Sequence, residues 1–526
     1  MSVQSMVAID ASRSHSGGWN KYGYLVLVSG IAALMCLPYI RNIYWLGDEG
    51  VLLHGADRML HGRTIYNDFF EFLPPGGFVL TEAWFSVAGV SFASERLLAL
   101  LTIIGIACFT FLACRRVSKD TPLSVLLTTG WLITSQASWP TQLSHHWFTT
   151  LFSMVVAWAS IVNLEARPRG SWWATVAGAA AGAAAMVTPT RGLLAAMAGA
   201  TASLNFRTHR WALVTYGVGL AIAPAGLLAY LVSHHALVAA FDDVIRFTGA
   251  RYLSIQGLPF GSGATRLNLP LKFLFPFLAL FTLLICARDW RGSLRDPMLP
   301  LCVAFGLAGF VGCFPRPDLV HIAFAAPLAL PLLAFCIRGV TEGRGSAARY
   351  TAAAIVIAVF APAAVRLASN ALGASSPETA STPRGDVAFL GRTAIPELLR
   401  RIAATPAEDG YFFYPYMPML PFLAAREHVS NYDIFTPGYT LPSQYRDACL
   451  SATRSASWVV IDRNWTDPKT LKQVWPNILD AQPPETRRFE QALDNAFELV
   501  AREGSFELRH RRAGGDQTDC EGITGE

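Results

Sequence analysis

The first carboxylates after the first long apolar run are the adjacent pair Asp48 and Glu49. They lie in a loop, residues 41–95, that is rich in acids although charged residues make up only 15% of the chain. The seven acids of this loop are Asp48, Glu49, Asp57, Asp68, Glu71, Glu82 and Glu95. A positioned carboxylate can take the proton of a weakly nucleophilic hydroxyl, which is general-base chemistry. The loop at 41–95 is therefore the first place to look for a reactive site.

Other ionisable side chains lie in short segments between apolar runs. They include Arg63, Arg191, Arg251 and the group Arg316, Asp318 and His321 in the segment FPRPDLVH. The cores of the apolar runs contain essentially no acid or base, and a charge at mid-span would cost about 2.5–3.5 kcal/mol. The ionisable groups thus gather on one face, and we expect the working surface of the protein to be the outer one.

The composition is that of a membrane protein. The chain has 526 residues, 52% of them hydrophobic and 15% charged, whereas soluble proteins carry about 25% charged residues. A bilayer core needs about 20 apolar residues in a helix. We predict about eleven spans, near residues 22–40, 96–114, 123–138, 147–164, 171–188, 191–204, 211–233, 271–287, 298–314, 319–337 and 350–368.

Short basic loops set the predicted orientation in the membrane. They recur after every second span, at Arg115-Arg116-Lys119, Arg167/Arg169, Arg207/Arg210, Arg288/Arg291/Arg295 and Arg338/Arg344/Arg349. Such loops belong on the cytoplasmic side. We therefore expect a multi-pass inner-membrane protein with a cytoplasmic tail at 1–21, a membrane domain at 22–369 and an extracytoplasmic part at 370–526. The loop at 41–95 is then extracytoplasmic too.

The chain after residue 370 has the composition of a soluble α/β domain. Residues 411–414 and the segment WVVID at 458–462 are predicted strands, and helices are predicted at 396–404 and 485–500. We expect this domain to shape access of the acceptor without carrying a catalytic group. Cys449 and Cys520 lie here and could pair in an oxidising compartment.

The order of short motifs in residues 40–116 resembles that of a known family. An acidic pair follows the first span, and then come the segment ADRMLHG at 56–62, a tyrosine, a double proline and an arginine that opens the next span. This order is similar to that of the GT-C membrane glycosyltransferases, and especially to the protein O-mannosyltransferases and lipid A aminoarabinose transferases. Later in the chain the likeness is only a pattern of spans followed by an outer domain.

The resemblance implies an enzyme that moves a sugar from a polyprenyl-phosphate carrier to a lipid, glycan or protein acceptor at the outer membrane surface. In that family the carboxylate at the position of Asp48 acts as base or orients the acceptor, and Glu49 would assist it. The leaving phosphate needs cations, for which Arg63, Arg191, Arg251 and Arg316 are candidates, with Asp318 and His321 beside them. Relatives often carry a basic residue before the double proline, where this chain has Phe72-Leu73, so another arginine would have to replace it.

Other interpretations remain open on the sequence alone. Asp48 and Glu49 could be a solvated loop pair, Arg191 and Arg316 could be anchors at the membrane interface, and His145 and His146 could be surface groups instead of metal ligands. A lipid or solute transporter and a non-catalytic envelope-binding protein are the alternative functions. We expect membrane lipids and no nucleic acid as partners. No cofactor is predicted with certainty, although a divalent metal ion is left open.

Overall fold

The computed structural model describes residues 21–166, 171–204, 211–266, 268–288, 290–373, 377–389, 391, 394–478, 482–513 and 520–523. The basic loops predicted at Arg167/Arg169 and Arg207/Arg210, and nearly all of the predicted N-terminal tail, lie outside these ranges. The described chain is mainly helical, with two small sheets.

Eleven helices coincide in position with the eleven predicted spans. They are α1 (Lys21–Cys36), α4 (Phe92–Ser118), α5 (Thr121–Ser138), α6 (His145–Glu165), α7 (Ser171–Val187), α8 (Pro189–Ser203), α9 (Ala212–Ser233), α12 (Leu269–Arg288), α14 (Met298–Val311), α15 (Leu319–Thr341) and α16 (Gly345–Gly373). Within the described ranges, seven helices are long and apolar enough to cross a membrane: α1, α4, α6, α9, α12, α15 and α16. Helices α7 and α14 are shorter apolar helices. A membrane protein is thus supported, and the count of eleven spans stays a prediction.

The loop at 41–95 folds into two helices and a short strand. Helix α2 (Asp48–Leu60) begins at the acidic pair, α3 (Gly76–Ala88) begins after the double proline, and β1 is Asn42–Ile43. The apolar residues of 51–60 recur at helical spacing, which by itself predicts a short helix that lies on the membrane surface. Instead, the structure buries most of its residues on all sides, because the C-terminal part of the chain covers the face that a surface helix would expose.

The C-terminal part, residues 377–523, contains strands and short helices in alternation. The strands are β2 (Glu378–Thr382), β3 (Gly385–Phe389), β4 (Tyr411–Tyr414), β5 (Trp458–Asp462), β6 (Phe497–Glu503) and β7 (Phe506–Arg511). Helices α17 (Ala394–Ala403), α18 (Met419–Ala424), α19 (Pro442–Ser455), α20 (Pro468–Val474) and α21 (Pro484–Ala496) lie between them. Shorter helices in the membrane part are α10 (Leu237–Phe241), α11 (Leu253–Gln256) and α13 (Trp290–Arg295), and a π-helical segment covers Asp242–Tyr252.

The two sheets join different parts of the chain. Four strands form one sheet in the order β4-β5-β7-β6, in which β4 and β5 are parallel and the other pairs antiparallel. The other sheet has the order β1-β3-β2, so a strand of the first loop pairs with a strand of the C-terminal part. One buried apolar cluster also contains residues of both. The parts before and after the predicted boundary at residue 370 therefore share one buried core.

A buried ion-pair network ties α2 to the C-terminal part. Arg58 donates from Nη1 to Oδ2 of Asp433 at 2.9 Å and from Nη2 to the carbonyl oxygen of Ser430 at 2.9 Å. His54 Nδ1 lies 3.1 Å from the same carboxylate. Burial opposes ionisation of Asp433, but the charges of Arg58 and His54 hold its pKa well below the usual range. Removal of one partner from such a buried network would leave an uncompensated charge. The network therefore fixes the position of α2 against the C-terminal part.

A disulfide joins Cys449 to Cys520, with their Cα atoms 5.7 Å apart. It connects α19 to the last described residues of the chain and lies in an apolar cluster of the C-terminal part. The pairing that the sequence left open is therefore present in the structure.

Candidate active site

Asp48 is the first residue of α2, and its side chain is exposed to a cavity. Tyr416, from the segment between β4 and α18, donates its hydroxyl proton to Oδ1 of Asp48 at 2.6 Å. Burial first, and then the charge of Asp48, raise the pKa of Tyr416 well above its ordinary value. Tyr416 therefore stays protonated and holds the Asp48 carboxylate in one orientation.

Close backbone packing fixes the beginning of α2 beside Tyr416. The backbone N–H of Met419 donates to the carbonyl oxygen of Leu46 at 3.0 Å. A Cβ atom on Gly50 would lie 2.2 Å from the backbone nitrogen of Met419, so only glycine allows the two segments to approach this closely. The position of Asp48 thus depends on the C-terminal part of the chain.

Glu49 is buried and has a different environment from its neighbour. Arg96 binds both of its carboxylate oxygens, with Nη2 donating to Oε2 at 3.1 Å, and the backbone N–H of Leu143 donates to Oε1 at 2.7 Å. Arg96 also donates to Glu95, at 2.8 and 2.9 Å. Glu49 lines the cavity wall, but its oxygens are engaged in holding the first loop against α4 and the residues before α6.

The cavity beside Asp48 has a volume of about 340 Å³. Four parts of the chain form its walls: the first loop, the beginnings of α6 and α15, the π-helical segment with α11, and the C-terminal part. Its lining includes Trp45, Phe72, Gln142, His145, His146, Tyr252, Gln256, Arg316, Asp318, His321, Tyr416, Tyr439, Val474 and Trp475. This volume falls in the range of small-molecule sites, and the mixture of aromatic and polar side chains suits a polar ligand that also has apolar faces.

Arg316 provides the cation of this cavity wall. It donates from Nε to Asp318 at 3.0 Å, from Nη1 to Gln256 at 2.7 Å and from Nη2 to the carbonyl oxygen of Val474 at 2.9 Å. These three contacts come from three different segments, so the guanidinium is held rigidly. Preorganised cations of this kind are what a transferring phosphate group requires.

Asp318 caps the N-terminus of α15 and also orients His321. Its carboxylate accepts from the backbone N–H of His321 at 2.9 Å and lies 2.7 Å from His321 Nδ1. Burial opposes ionisation, but the bonds from His321 and the charge of Arg316 hold the pKa of Asp318 below its ordinary value. An ionised Asp318 engages Nδ1 of His321 and leaves Nε2 on the far side of a ring that lines the cavity.

The remaining predicted arginines lie outside the cavity lining. Arg191 is buried behind His146, with Nη1 3.2 Å from His146 Nδ1, and it donates from Nη2 to Thr150 at 3.4 Å. Arg251 lies on the π-helical segment, next to the lining residue Tyr252. Arg63 forms a surface ion pair with Glu427 at 2.8 Å. The structure thus brings Arg316, Asp318 and His321 into one site with Asp48, places Arg191 one side chain behind it, and leaves Arg63 on the surface.

Two polar atoms of the cavity lining have no hydrogen-bond partner within the described chain. They are Oε1 of Gln142 and the hydroxyl of Tyr439, both buried. Buried polar atoms without partners are rare and costly, and these two lie where a ligand would bind. One can accept a hydrogen bond and the other can donate one.

A metal site does not emerge from the side chains that the structure describes. Among them, no group of three or more His, Cys, Asp and Glu residues is arranged to hold a metal ion. His145 and His146 are half-buried in the cavity wall, with ring centroids 4.0 Å apart. They are lining residues and not the exposed surface groups that the sequence alternative suggested.

The sequence predicted that the C-terminal part shapes acceptor access, but it did not identify which residues of that part line this site. Tyr416, Tyr439 and Trp475 line the cavity but belong to no charged or spaced motif. One signal was available for Tyr416, because the aromatic, proline-rich stretch at 411–422 stands out in composition from its surroundings. Arg96 was noted only as the opening of a span, and its pairing with Glu49 depends on the packing of α2 against α4.

Comparison with solved structures identifies the fold of the chain. No family model matches the chain, and no curated protein matches it. Among solved structures it is similar to ArnT from Cupriavidus metallidurans bound to undecaprenyl phosphate, with 16% identity, a TM-score of 0.55 and coverage of 94% of this chain and 99% of that one.

Two further similar structures are a membrane oligosaccharyltransferase and an arabinofuranosyltransferase. The oligosaccharyltransferase of Archaeoglobus fulgidus has 13% identity and a TM-score of 0.52, with 93% of this chain and 73% of that one covered. Mycobacterial AftD has 14% identity and a TM-score of 0.54, with 95% of this chain and 40% of that one covered. At these low sequence identities, the structural similarity establishes the fold of this chain but not its substrates. The chain therefore has the fold of the GT-C membrane glycosyltransferases.

Proposed function

We propose that the protein transfers a sugar from a polyprenyl-phosphate carrier to a hydroxyl of an envelope acceptor, in the cavity beside Asp48. The observation that carries this proposal is the difference between two adjacent carboxylates. Asp48 is exposed to the cavity, and among the described residues only Tyr416 binds its carboxylate, through Oδ1, whereas Glu49 is engaged with Arg96. Oδ2 of Asp48 is then the atom that receives the acceptor proton.

The reaction proceeds as one displacement at the sugar carbon C1. The acceptor oxygen forms a bond to C1 while its proton passes to Oδ2 of Asp48. The bond between C1 and the phosphate oxygen breaks, and the electron pair leaves with the polyprenyl phosphate. Attack opposite to the leaving group inverts the configuration at C1.

Arg316 and His321 receive the phosphate in this proposal. Both line the cavity with Asp48, and Arg316 is held by three contacts that leave further N–H groups of its guanidinium for a ligand. Gln142 and Tyr439 offer an acceptor and a donor for sugar hydroxyls. The binding of undecaprenyl phosphate by ArnT, which shares the fold, supports a carrier of this chemical class.

A direct test is transfer by the purified protein in liposomes that contain synthetic polyprenyl-phosphate sugars. Mass spectrometry of envelope glycans and lipids, with and without the gene, would identify the native acceptor. Transfer of sugar with release of polyprenyl phosphate is the expected result. Movement of the intact sugar lipid across the bilayer without cleavage would instead show a flippase.

Replacing Arg316 by Ala is expected to weaken donor binding, because a charged hydrogen bond to the phosphate contributes about 1.5–3 kcal/mol. We expect the KM for the donor to rise by about ten- to hundredfold, with little change in the KM for the acceptor. Steady-state kinetics at varied donor concentration measures this effect. Arg400→Ala is the control, because Arg400 pairs with Glu397 on the surface; an equal effect of both substitutions would remove the role of Arg316.

We also propose that the cavity faces the extracytoplasmic side, with eleven spans, the N-terminus in the cytoplasm and the C-terminal part outside. Helices α6 and α15 begin at the cavity, and α4 begins beside it, where Arg96 contacts the lining residue Glu49. At their other ends lie Arg116 and Lys119, both paired with Glu165, and Arg338. Basic ends belong to the cytoplasmic side, and a disulfide at Cys449–Cys520 suits an oxidising compartment.

A phosphatase reporter fused after Glu526 is expected to be active, because this enzyme folds only outside the cytoplasm. The same reporter placed after Lys119, in a basic loop, is expected to be inactive. Activity of periplasmic alkaline phosphatase in whole cells measures both fusions. An inactive C-terminal fusion that is present at normal amounts would contradict the orientation and the outer active site.

A further inference from the structure

A second cavity opens at the end of the bundle opposite to Asp48. Its volume is about 1040 Å³. Helix α4 begins beside the Asp48 cavity, where Arg96 contacts the lining residue Glu49, and ends at Ser118, which lines this second cavity. With 27 residues at 1.5 Å per residue, α4 separates the two cavities by roughly 40 Å. Nothing in the proposed transfer reaction uses this second cavity, which we call the basic groove.

The basic groove has apolar walls and a polar rim. Its sides come from α1 and α16, and its floor from α5 and α15. Leu27, Leu126, Ile337 and Ala353 contribute apolar surface. At the rim lie three cations, Lys119, Arg338 and Arg349. A membrane phospholipid has the same division, because its acyl chains are apolar and its headgroup is charged.

Two acids, Asp120 and Glu342, also line the groove, so its three cations leave one net positive charge. Asp120 accepts from the backbone N–H of Leu123 at 3.0 Å and so caps α5. Glu342 pairs with Nε of Arg338 at 3.2 Å. Lys119 pairs with Glu165 at 2.8 Å, but its side chain remains 61% exposed. Arg349 is exposed on the first turns of α16. A negatively charged group at the rim would thus meet Arg349 and would share Lys119 with Glu165.

The geometry points to the basic groove as a binding site for an anionic phospholipid. The phosphate headgroup lies among Lys119, Arg338 and Arg349, and an acyl chain lies along Leu27, Leu126 and Ile337. Basic pockets between transmembrane helices bind anionic headgroups by this combination of contacts. The lipid is a structural ligand distant from the reaction, so the inference goes beyond the proposed function and does not depend on it.

The test uses the delipidated full-length protein in detergent, titrated with phosphatidylglycerol or phosphatidylcholine and followed by native mass spectrometry. We expect phosphatidylglycerol to bind more tightly than phosphatidylcholine. Removal of one cation, in Lys119→Gln or Arg349→Gln, is expected to weaken phosphatidylglycerol binding about fivefold. Ala353→Trp, which keeps all charges but fills the groove, is expected to abolish it.

Arg344→Gln is the matched control, because Arg344 lies in the same basic turn but does not line the groove. It is expected to leave the affinity unchanged. Equal binding of the two lipids, or an effect of Arg344→Gln as large as that of Arg349→Gln, would overturn the site in favour of general surface attraction. Displacement of the lipid by inorganic phosphate at equal concentration would overturn the role of the acyl chain. Arg349 is exposed, so its substitution tests the site even if Ala353→Trp does not fold.

Discussion

Replacing Asp48 by Asn is expected to lower turnover by about 10²–10⁴-fold, the usual contribution of a general base. The amide keeps the size of the carboxylate and can still accept the hydrogen bond from Tyr416, which is 2.6 Å long. It cannot take the acceptor proton. Protein amount and donor affinity should therefore remain near those of the wild type, and kcat should carry the loss.

The measurement is turnover of the purified variant with a polyprenyl-phosphate sugar under saturating donor. Asp68→Asn is the control, because Asp68 belongs to the same loop but does not line the cavity, and its carboxylate accepts from the backbone N–H of Thr64 at 2.6 Å. Glu49→Gln tests the other half of the pair and should cost less in kcat. Near-normal activity of the Asp48 variant would remove the mechanism, and a larger loss in the Glu49 variant would exchange the two roles.

Replacing Arg96 by Ala is expected to destabilise the fold by about 3–5 kcal/mol, because removal of one partner from a buried ion pair leaves a charge without compensation. Here two carboxylates, those of Glu49 and Glu95, would be left together in a site where both are at most 1% exposed. The two acids would also repel each other. The first loop would lose its attachment to α4, and the cavity with it.

Thermal unfolding of the detergent-purified variant, together with its yield, measures this loss. A triple variant, Arg96→Met with Glu49→Gln and Glu95→Gln, is expected to recover much of the stability, because a neutral cluster of similar volume carries no uncompensated charge. If Arg96→Ala alone were as stable as the wild type, the proposed role of the buried ion pairs of Arg96 with Glu49 and Glu95 would be contradicted. Recovery in the triple variant without recovery of activity would show that Glu49 also acts in the reaction.

Much of the architecture could be predicted from local sequence properties. Each of the eleven apolar runs coincides with a helix, because a run of about 20 apolar residues in a bilayer has to satisfy its backbone hydrogen bonds internally. The strands at Tyr411–Tyr414 and Trp458–Asp462 have the predicted bounds, since a short β-branched and aromatic run between turns allows few alternatives. The GT-C resemblance noted from the motif order agrees with the fold of the similar structures.

The candidate site could be predicted only in part. Arg316, Asp318 and His321 are close in the chain, and they line one cavity with Asp48. Arg63 and Arg191 were equally plausible by residue type, yet one is on the surface and the other is behind His146. Sequence position does not show which arginine reaches a cavity, because the distance of a side chain from it depends on helix rotation and packing.

The sequence by itself determined that this is a membrane protein with an acidic pair at the entry to its first loop. Only the tertiary structure decided which of the two carboxylates is available to a ligand in the cavity. Adjacent residues on a helix point about 100° apart, so Asp48 faces the cavity while Glu49 faces Arg96. The structure also placed Tyr416, 368 residues away in the chain, against Asp48. Contacts at such separations arise from the packing of the C-terminal part over α2, which no local pattern records.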